Sequence, residues 1–368
     1  MVGSTMAMDL ATDFDVTVAD RDPAALADLA TRYGVGIEQA DLASPAEIHR
    51  LAADHDIVIG ALSSRMGLAT LRAVIEARRN YVDISFMADD ATQLDGLARE
   101  HGVTAVVDCG VGPGLSNLTA GYAVEQMSPC RKLEIYVGGL PAVRTWPYGY
   151  KAPFAASDVI EEYTRPARIV EKGKIVVREA LSEPELIDFP GVGTLEAFNT
   201  DGLRSLATTL DVPDMIEKTM RYPGHIELMR VLRHTGFFSE EPIEVDGAQV
   251  VPLALTSKLL FPKWEYADGE TDITVMRVIA HGDHAGRSVR WTWDLHDRRD
   301  AVSGCSSMSR TTGFPATIMA RMVSGGQFVE PGVHPPEVCG ARDGLFDAVV
   351  AQLKTRGIDY TFTETVVG

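Results

Sequence analysis

Between residues 3 and 110 short apolar runs alternate with helix-like stretches of about three turns, and this alternation constrains the fold more than any other feature. Strand-like runs are read at 16–19, 36–39, 56–60, 80–84 and 103–107, and helical periodicity at 4–13, 23–33, from Ser44 onward, 66–78 and 88–101. Short apolar strands separated by helices lie parallel, buried between helical layers. Local signals agree. Asp22 precedes Pro23 as a helix N-cap, and Ser44 with Glu47 three residues on makes a capping box.

Within this alternation Gly3 and Asp20 stand seventeen residues apart, Asp20 closing an apolar run. A dinucleotide-binding fingerprint runs strand, G-x-G-x-x-G, helix and second strand, with a carboxylate about 20 residues on. Gly3 and Asp20 fit its third glycine and its acidic residue. The domain is therefore expected to be a Rossmann-type parallel sheet whose N-terminal strand and first two glycines are not in the sequence. Met1 is expected to be an internal residue of the natural protein, preceded by an apolar run ending in Gly-x-Gly.

After Asp108 the texture changes. Residues 133–140 read as a strand, an aromatic loop spans 141–154, and 169–177 holds a Lys-Gly-Lys hairpin turn. Residues 253–260 suit a helix or a strand. Residues 271–280 and 288–296 alternate as paired strands around a turn at 281–286, and 312–323 and 341–354 look helical. The expected division is a dinucleotide-binding domain at 1–119, a second α+β domain at 120–311 and a segment at 312–368; the family resemblance carried by the motifs quoted below implies that the second is an inserted substrate and dimerisation domain and the third a C-terminal return packing on the first. A chain of 368 residues has room for this.

The balance of 52 acidic against 34 basic residues, a net charge of −18, argues against nucleic acid as a partner. No apolar stretch is long enough to span a membrane. Cys109, Cys130, Cys305 and Cys339 are scattered and read as reduced thiols of a cytoplasmic protein. The His281/His284 and His334/Glu337/Cys339 groups do not have metal-ligand spacing, so no metal is expected.

Candidate residues cluster at strand ends, where open α/β sheets bind ligands. Asp20 suits the adenosine ribose of NAD, while Arg21 beside it would suit the 2′-phosphate of NADP. Asp41, the Ala61, Leu62 and Ser63 run, and Asp83 follow later strands. Asp108, Gly110 and Gly112 follow the last, in a loop that allows close approach of backbone to ligand. In the second domain, around a turn forced by Pro223-Gly224, Arg221 could clamp a carboxylate and His225 could move a proton near neutral pH. Tyr150, in the aromatic loop, is a further pocket candidate.

Several of these stretches together resemble the saccharopine dehydrogenase-like reductases. They are the run from Asp108 to Leu118 with its Gly110, Gly112, Pro113 and Gly114; Val137 to Pro141; Tyr148 to Lys151; Val159 to Tyr163; Arg165 to Arg168; Leu195 to Gly202; and Lys218 to His225. Within that family the likeness is nearest to lysine 6-dehydrogenase, and it covers nearly the whole chain. The resemblance implies a Rossmann domain with an inserted substrate domain, a homodimer or higher oligomer, and NAD(P)-linked oxidation of an amino acid's C–N bond. For lysine the ε-amine would become a semialdehyde or cyclic imine. Arg221 would then hold the substrate carboxylate and His225 handle a proton, with Asp83 and Tyr150 in the pocket. Two alternatives stand beside this. One is a glutamate-forming saccharopine dehydrogenase or related reductase, which needs a second basic residue from among Arg144, Lys151 and Arg233. The other is a non-catalytic member that has lost its cofactor.

Overall fold

The computed structural model describes residues 2–154 and 156–367. Met1, on which the expected upstream start rests, lies outside the described residues. The chain divides into two compact units, Met1–Tyr122 with Ser309–Ile358, and Ala123–Met308 with Asp359–Gly368.

The first unit begins α1 (Val2–Leu10), β1 (Thr17–Asp20), α2 (Pro23–Tyr33), β2 (Gly36–Gln39), α3 (Pro45–Ala52), β3 (Ile57–Gly60), α4 (Gly67–Glu76), β4 (Asn80–Asp83), α5 (Asp95–His101), β5 (Thr104–Val106) and α6 (Leu115–Gln126). The expected N-caps form, but the capping box is only half made, because Glu47 turns to Arg50 and the Ser44 amide donates to the Asp41 carbonyl. The Asp22 carboxylate accepts from the Ala24 and Ala25 amides, and Gly34 closes α2 at φ 67°. Ser44 Oγ accepts from the Glu47 amide. Beyond the second unit the chain adds α11 (Ser307–Ser324), β16 (Gly332–His334), α12 (Pro336–Gly340) and α13 (Leu345–Thr355). Every ladder of this unit is parallel, but among the described residues they make two sheets: β1 with β2, and β3-β4-β5-β16. The larger sheet is buried by Leu71, Val74 and Ile75 of α4 together with Tyr81, Ala105 and Val333. Asp9 anchors α1 to the return. Its Oδ1 accepts from Arg356 Nε at 2.8 Å, and its Oδ2 from Thr317 Oγ1 at 2.6 Å and Arg321 Nη1 at 2.7 Å.

The second unit comprises β6 (Cys130–Pro141), α7 (Ala156–Thr164), β7 (Ala167–Glu171), β8 (Lys174–Arg178), β9 (Glu185–Phe189), β10 (Gly193–Asn199), α8 (Leu206–Thr209), β11 (Asp214–Arg221), α9 (His225–Thr235), β12 (Ile243–Val245), β13 (Ala248–Val250), α10 (Pro252–Trp264), β14 (Asp272–His284), β15 (Arg287–Arg298) and, at the C-terminus, β17 (Tyr360–Val366). The main sheet runs β17-β15-β14-β6-β11-β10-β9, with β7 and β8 attached through β11. It is antiparallel except between β6 and β11.

Three sequence expectations change. The turn expected at 281–286 narrows to Ala285 and Gly286, at φ 49° and 76°, the mirror-type hairpin turn that suits strand twist. His281 therefore lies in β14, its Nε2 3.0 Å from Glu134 Oε2. The helix expected at 341–354 begins at Leu345, after a break closed by Gly344 at φ 70°. The last strand leaves the C-terminal return and pairs β15 in the second unit, Phe362 opposite Trp293. None of the described helices is long and apolar enough to cross a membrane.

Candidate active site

In the first unit a cavity of about 400 Å³ opens beside β1 and β3. Four sequence candidates line it: Gly3, Asp20, Ala61 and Leu62. Arg21, Asp41, Ser63, Asp108, Gly110 and Gly112 do not. Glycine at position 3 is not demanded by packing inside the protein, because a Cβ there would meet only Ala61 Cβ, at an ordinary 3.5 Å. It stands in the first turn of α1, which carries no acid to repel an anion. Asp20 is exposed, one carboxylate oxygen accepting from the Asp22 amide at 2.9 Å. A helix N-terminus for a pyrophosphate and a carboxylate for a ribose hydroxyl fit a dinucleotide cofactor.

At the end of β4, Asp83 is fully buried. Its Oδ1 accepts from the Ser85 amide at 3.1 Å and from Ser85 Oγ at 2.8 Å, while Oδ2 has no hydrogen-bond partner. The Tyr81 hydroxyl on the same strand is likewise buried, beside the Asp83 carboxyl, and burial with that neighbouring carboxylate pushes it up. Burial pushes the Asp83 carboxyl up to about 7, with Ser85 opposing and the Asp108 carboxylate adding to the rise. Burial pushes the neighbouring Cys109 thiol up to about 12, so it is no thiolate nucleophile at neutral pH. Beyond Asp108 the loop closes on itself: Gly114, at φ 137°, lies so close to Gly110 that a Cβ would strike the Gly110 backbone.

The second unit holds a separate aromatic and basic cluster. Pro223 and Gly224, the latter at φ 94°, turn the chain from β11 into α9, setting Arg221 at the end of one and His225 at the start of the other. Both are buried, each only 2% exposed. Arg221 Nη2 donates to Glu162 Oε2 at 2.6 Å, Nε to the Tyr163 hydroxyl at 3.3 Å and Nη1 to the Met220 carbonyl at 3.0 Å. Its guanidinium carbon lies 4.6 Å from the Tyr150 ring centroid. His225 Nδ1 is 2.9 Å from the Tyr148 carbonyl, which can only accept, so this nitrogen carries the proton. Nε2 then accepts from the Tyr163 hydroxyl at 2.9 Å. Burial first, and the Arg221 charge second, hold His225 down to about 3, so it is neutral at ordinary pH. The Tyr150 and Tyr266 hydroxyls and the Trp264 indole N–H are buried donors with no partner. Unused buried donors are rare and mark strain or a ligand's place.

Thus Arg221, His225 and Tyr150 come together in the second unit, while Asp83 belongs to the first. Sequence reasoning did not single out Glu162, Tyr163 or Trp264, which complete the cluster from α7 and α10. It also passed over Glu217 on β11, whose carboxyl accepts from Thr200 Oγ1 at 2.6 Å and is pushed by burial to about 8. The one available signal was buried-type charge within an otherwise apolar run, Glu217 and Lys218 between Ile216 and Met220.

Known proteins resemble the chain in sequence and in fold. Residues 1–106 match the Saccharopine dehydrogenase NADP binding domain, and residues 110–358 the Saccharopine dehydrogenase C-terminal domain. The NADP(+), L-glutamate-forming saccharopine dehydrogenase of Saccharomyces cerevisiae is 24% identical, over 96% of this chain and 94% of that protein. The protein of the same name from Pyricularia oryzae is 24% identical over 64% of this chain, which spans 55% of that relative's length. The solved structure of apo histidine-tagged saccharopine dehydrogenase (L-Glu forming) from Saccharomyces cerevisiae superposes with a TM-score of 0.81 at 21% identity, covering 100% of this chain and 98% of that one. That is a likeness of fold.

Proposed function

Because the chain belongs to the saccharopine dehydrogenase family, we propose that it is an NAD(P)-dependent oxidoreductase that oxidises a C–N bond of an amino acid. The observation that carries the chemistry is Asp83: a buried carboxyl at a strand end of the dinucleotide-binding unit, with one unpartnered oxygen and affinity for a proton near neutrality. An ammonium cannot release hydride until it loses a proton, and a base matched to neutral pH takes it most efficiently. Asp83 is assigned that role. When bound, the nicotinamide accepts the hydride.

His225 is assigned a positioning role in place of proton transfer, because both its nitrogens are engaged and its basicity is suppressed. It fixes the Tyr163 hydroxyl, which fixes Arg221. Arg221 is neutralised by Glu162, so its charge is shared before any substrate carboxylate arrives. The unpartnered Tyr150, Tyr266 and Trp264 donors beside this pair are assigned to that carboxylate.

For the substrate we favour a lysine-like amine with a single carboxylate. A glutamate-forming reaction needs further cations, yet Lys151 pairs with Glu270 at 3.0 Å, Arg233 with Glu179 at 2.9 Å, and Arg144 donates to the Pro223 carbonyl. The glutamate-forming reaction is kept as the second reading, supported by the names of the relatives. A panel of lysine, ornithine and saccharopine with NAD and NADP separates the two. Formation of reduced cofactor with lysine supports the first and with saccharopine the second. Binding of neither cofactor would favour a non-catalytic member of the family.

A further inference from the structure

Tyr81 and Asp83 stand two residues apart on β4, so they share one face of the strand. Both are fully buried. On the neighbouring strand β3, Gly60 lies in register with Asp83, and Val58 with Tyr81. A methyl group on Gly60 would strike the Tyr81 hydroxyl and Asp83 Oδ1 together, so these two oxygens converge over the one position of β3 that has no side chain.

The donors around Asp83 therefore gather on one oxygen. Oδ1 accepts from the Ser85 amide at 3.1 Å and from Ser85 Oγ at 2.8 Å, with the Tyr81 hydroxyl beside it, while Oδ2 has no hydrogen-bond partner. The other titratable groups that face the carboxyl come from the loop after β5: the Asp108 carboxylate and the buried Cys109 thiol. Burial, and after it the Asp108 charge, oppose ionisation of Asp83; Ser85 and then Tyr81 favour it. Tyr81 is not a base in its own right, because burial and the neighbouring carboxylate keep its proton on well beyond neutral pH. It offers a donor.

We propose, resting on the reading of Asp83 as the base, that Tyr81 is its positioning residue: the hydroxyl donates to Oδ1 of the ionised carboxyl and leaves Oδ2 as the oxygen that takes the substrate's proton. In that step an N–H bond of the substrate ammonium breaks, its electron pair stays on nitrogen, and the proton forms an O–H bond at Oδ2. Tyr81 keeps its own proton throughout. A donor fixed on one side has two consequences. The carboxylate does not turn Oδ2 toward Ser85, so the unused lone pairs of Oδ2 stay aimed away from the protein's donors. The anion also forms at a lower pH than burial alone would allow.

Tyr81→Phe removes the donor and keeps the ring. The test measures urea unfolding from pH 4 to 9.5 for the parent, Tyr81→Phe, Asp83→Asn and the double variant. It follows kcat/KM over the same range with lysine or saccharopine, whichever reduces the cofactor. Relative to Asp83→Asn, the parent loses stability up to about pH 7. Between Tyr81→Phe and the double variant, that loss should continue for about one further pH unit. The kcat/KM limb should move up with it, so that Tyr81→Phe is about fivefold slower than the parent at pH 7 and within about twofold of it at pH 9.5. An equal drop at every pH, with neither curve displaced, marks a merely structural hydroxyl and overturns the proposal. A pH-dependent effect of Tyr81→Phe on stability that persists in the Asp83→Asn background overturns it as well, because the hydroxyl then acts through another group. A displaced unfolding curve with an unmoved kcat/KM limb sustains the link between Tyr81 and Asp83 and overturns Asp83 as the base.

Discussion

Replacing Asp83 by asparagine tests proton transfer and the energetics of burial in one variant. In the folded protein Asp83 holds its proton up to about 7, against an ordinary value of 3.8. Raising pH through that window ionises the carboxyl in the unfolded chain first, so the folded state binds more protons and stability falls as pH rises. A gap of about three units corresponds to roughly 4 kcal/mol, fully expressed above about pH 7. The amide of the Asp83→Asn variant would keep the shape and the bonds from Ser85 but carry no charge to desolvate. Urea unfolding of variant and parent should therefore give nearly equal stability at pH 4, with the variant gaining several kcal/mol by pH 8. The difference between the two proteins is the quantity to read, because other buried groups titrate in the same range. Activity should move the opposite way. The parent's kcat/KM should rise with pH along a limb near 7, and the variant should lose about 100-fold or more at every pH. A difference curve flat from pH 4 to 8 would refute the burial argument, and a variant keeping the parent's pH profile would refute the assignment of Asp83 as the base.

Two further outcomes follow from the same geometry. His225 is held down to about 3 against an ordinary 6.5, so the unfolded chain binds the extra proton between those values and stability is lost as pH falls through them; relative to a His225→Asn variant, the parent should lose about 1.4 kcal/mol per pH unit across that window in acid unfolding. A methyl group at position 60 would overlap the Tyr81 hydroxyl and the Asp83 carboxyl, so Gly60→Ala should cost about 1–3 kcal/mol in urea unfolding, and an unchanged midpoint would contradict the packing around Asp83.

The first unit was largely legible in the sequence because its determinants are local. Asp22, Ser44 and Gly34 cap helices through neighbours two to four residues away, and Ile57 to Ile59 announce a strand without help from elsewhere. Strand ends also pointed to Asp83, although its burial and its loose oxygen depend on packing that no local pattern records. The second unit was less legible for a definite reason. Its β11 carries Glu217, Lys218 and Arg221, charged residues that break apolar alternation and are tolerated inside only because Thr200, Glu185 and Glu162 meet them. The turn at Pro223 and Gly224 could be read, but not that Arg221 would find its carboxylate in α7, 59 residues away in sequence. The strand β17 could have been found: Tyr360, Phe362, Glu364 and Val366 alternate with threonines in a β-prone run.

Hydride transfer from the carbon bonded to nitrogen is the claim on which the account turns. The most direct measurement supplies lysine, and separately saccharopine, deuterated at that carbon, and follows the label by mass spectrometry of the reduced cofactor. The account predicts deuterium on the nicotinamide with one of the two substrates, formed about 100-fold or more slowly in the Asp83→Asn variant. Reduced cofactor without deuterium, or no reduced cofactor from a protein that binds NADPH, would contradict it.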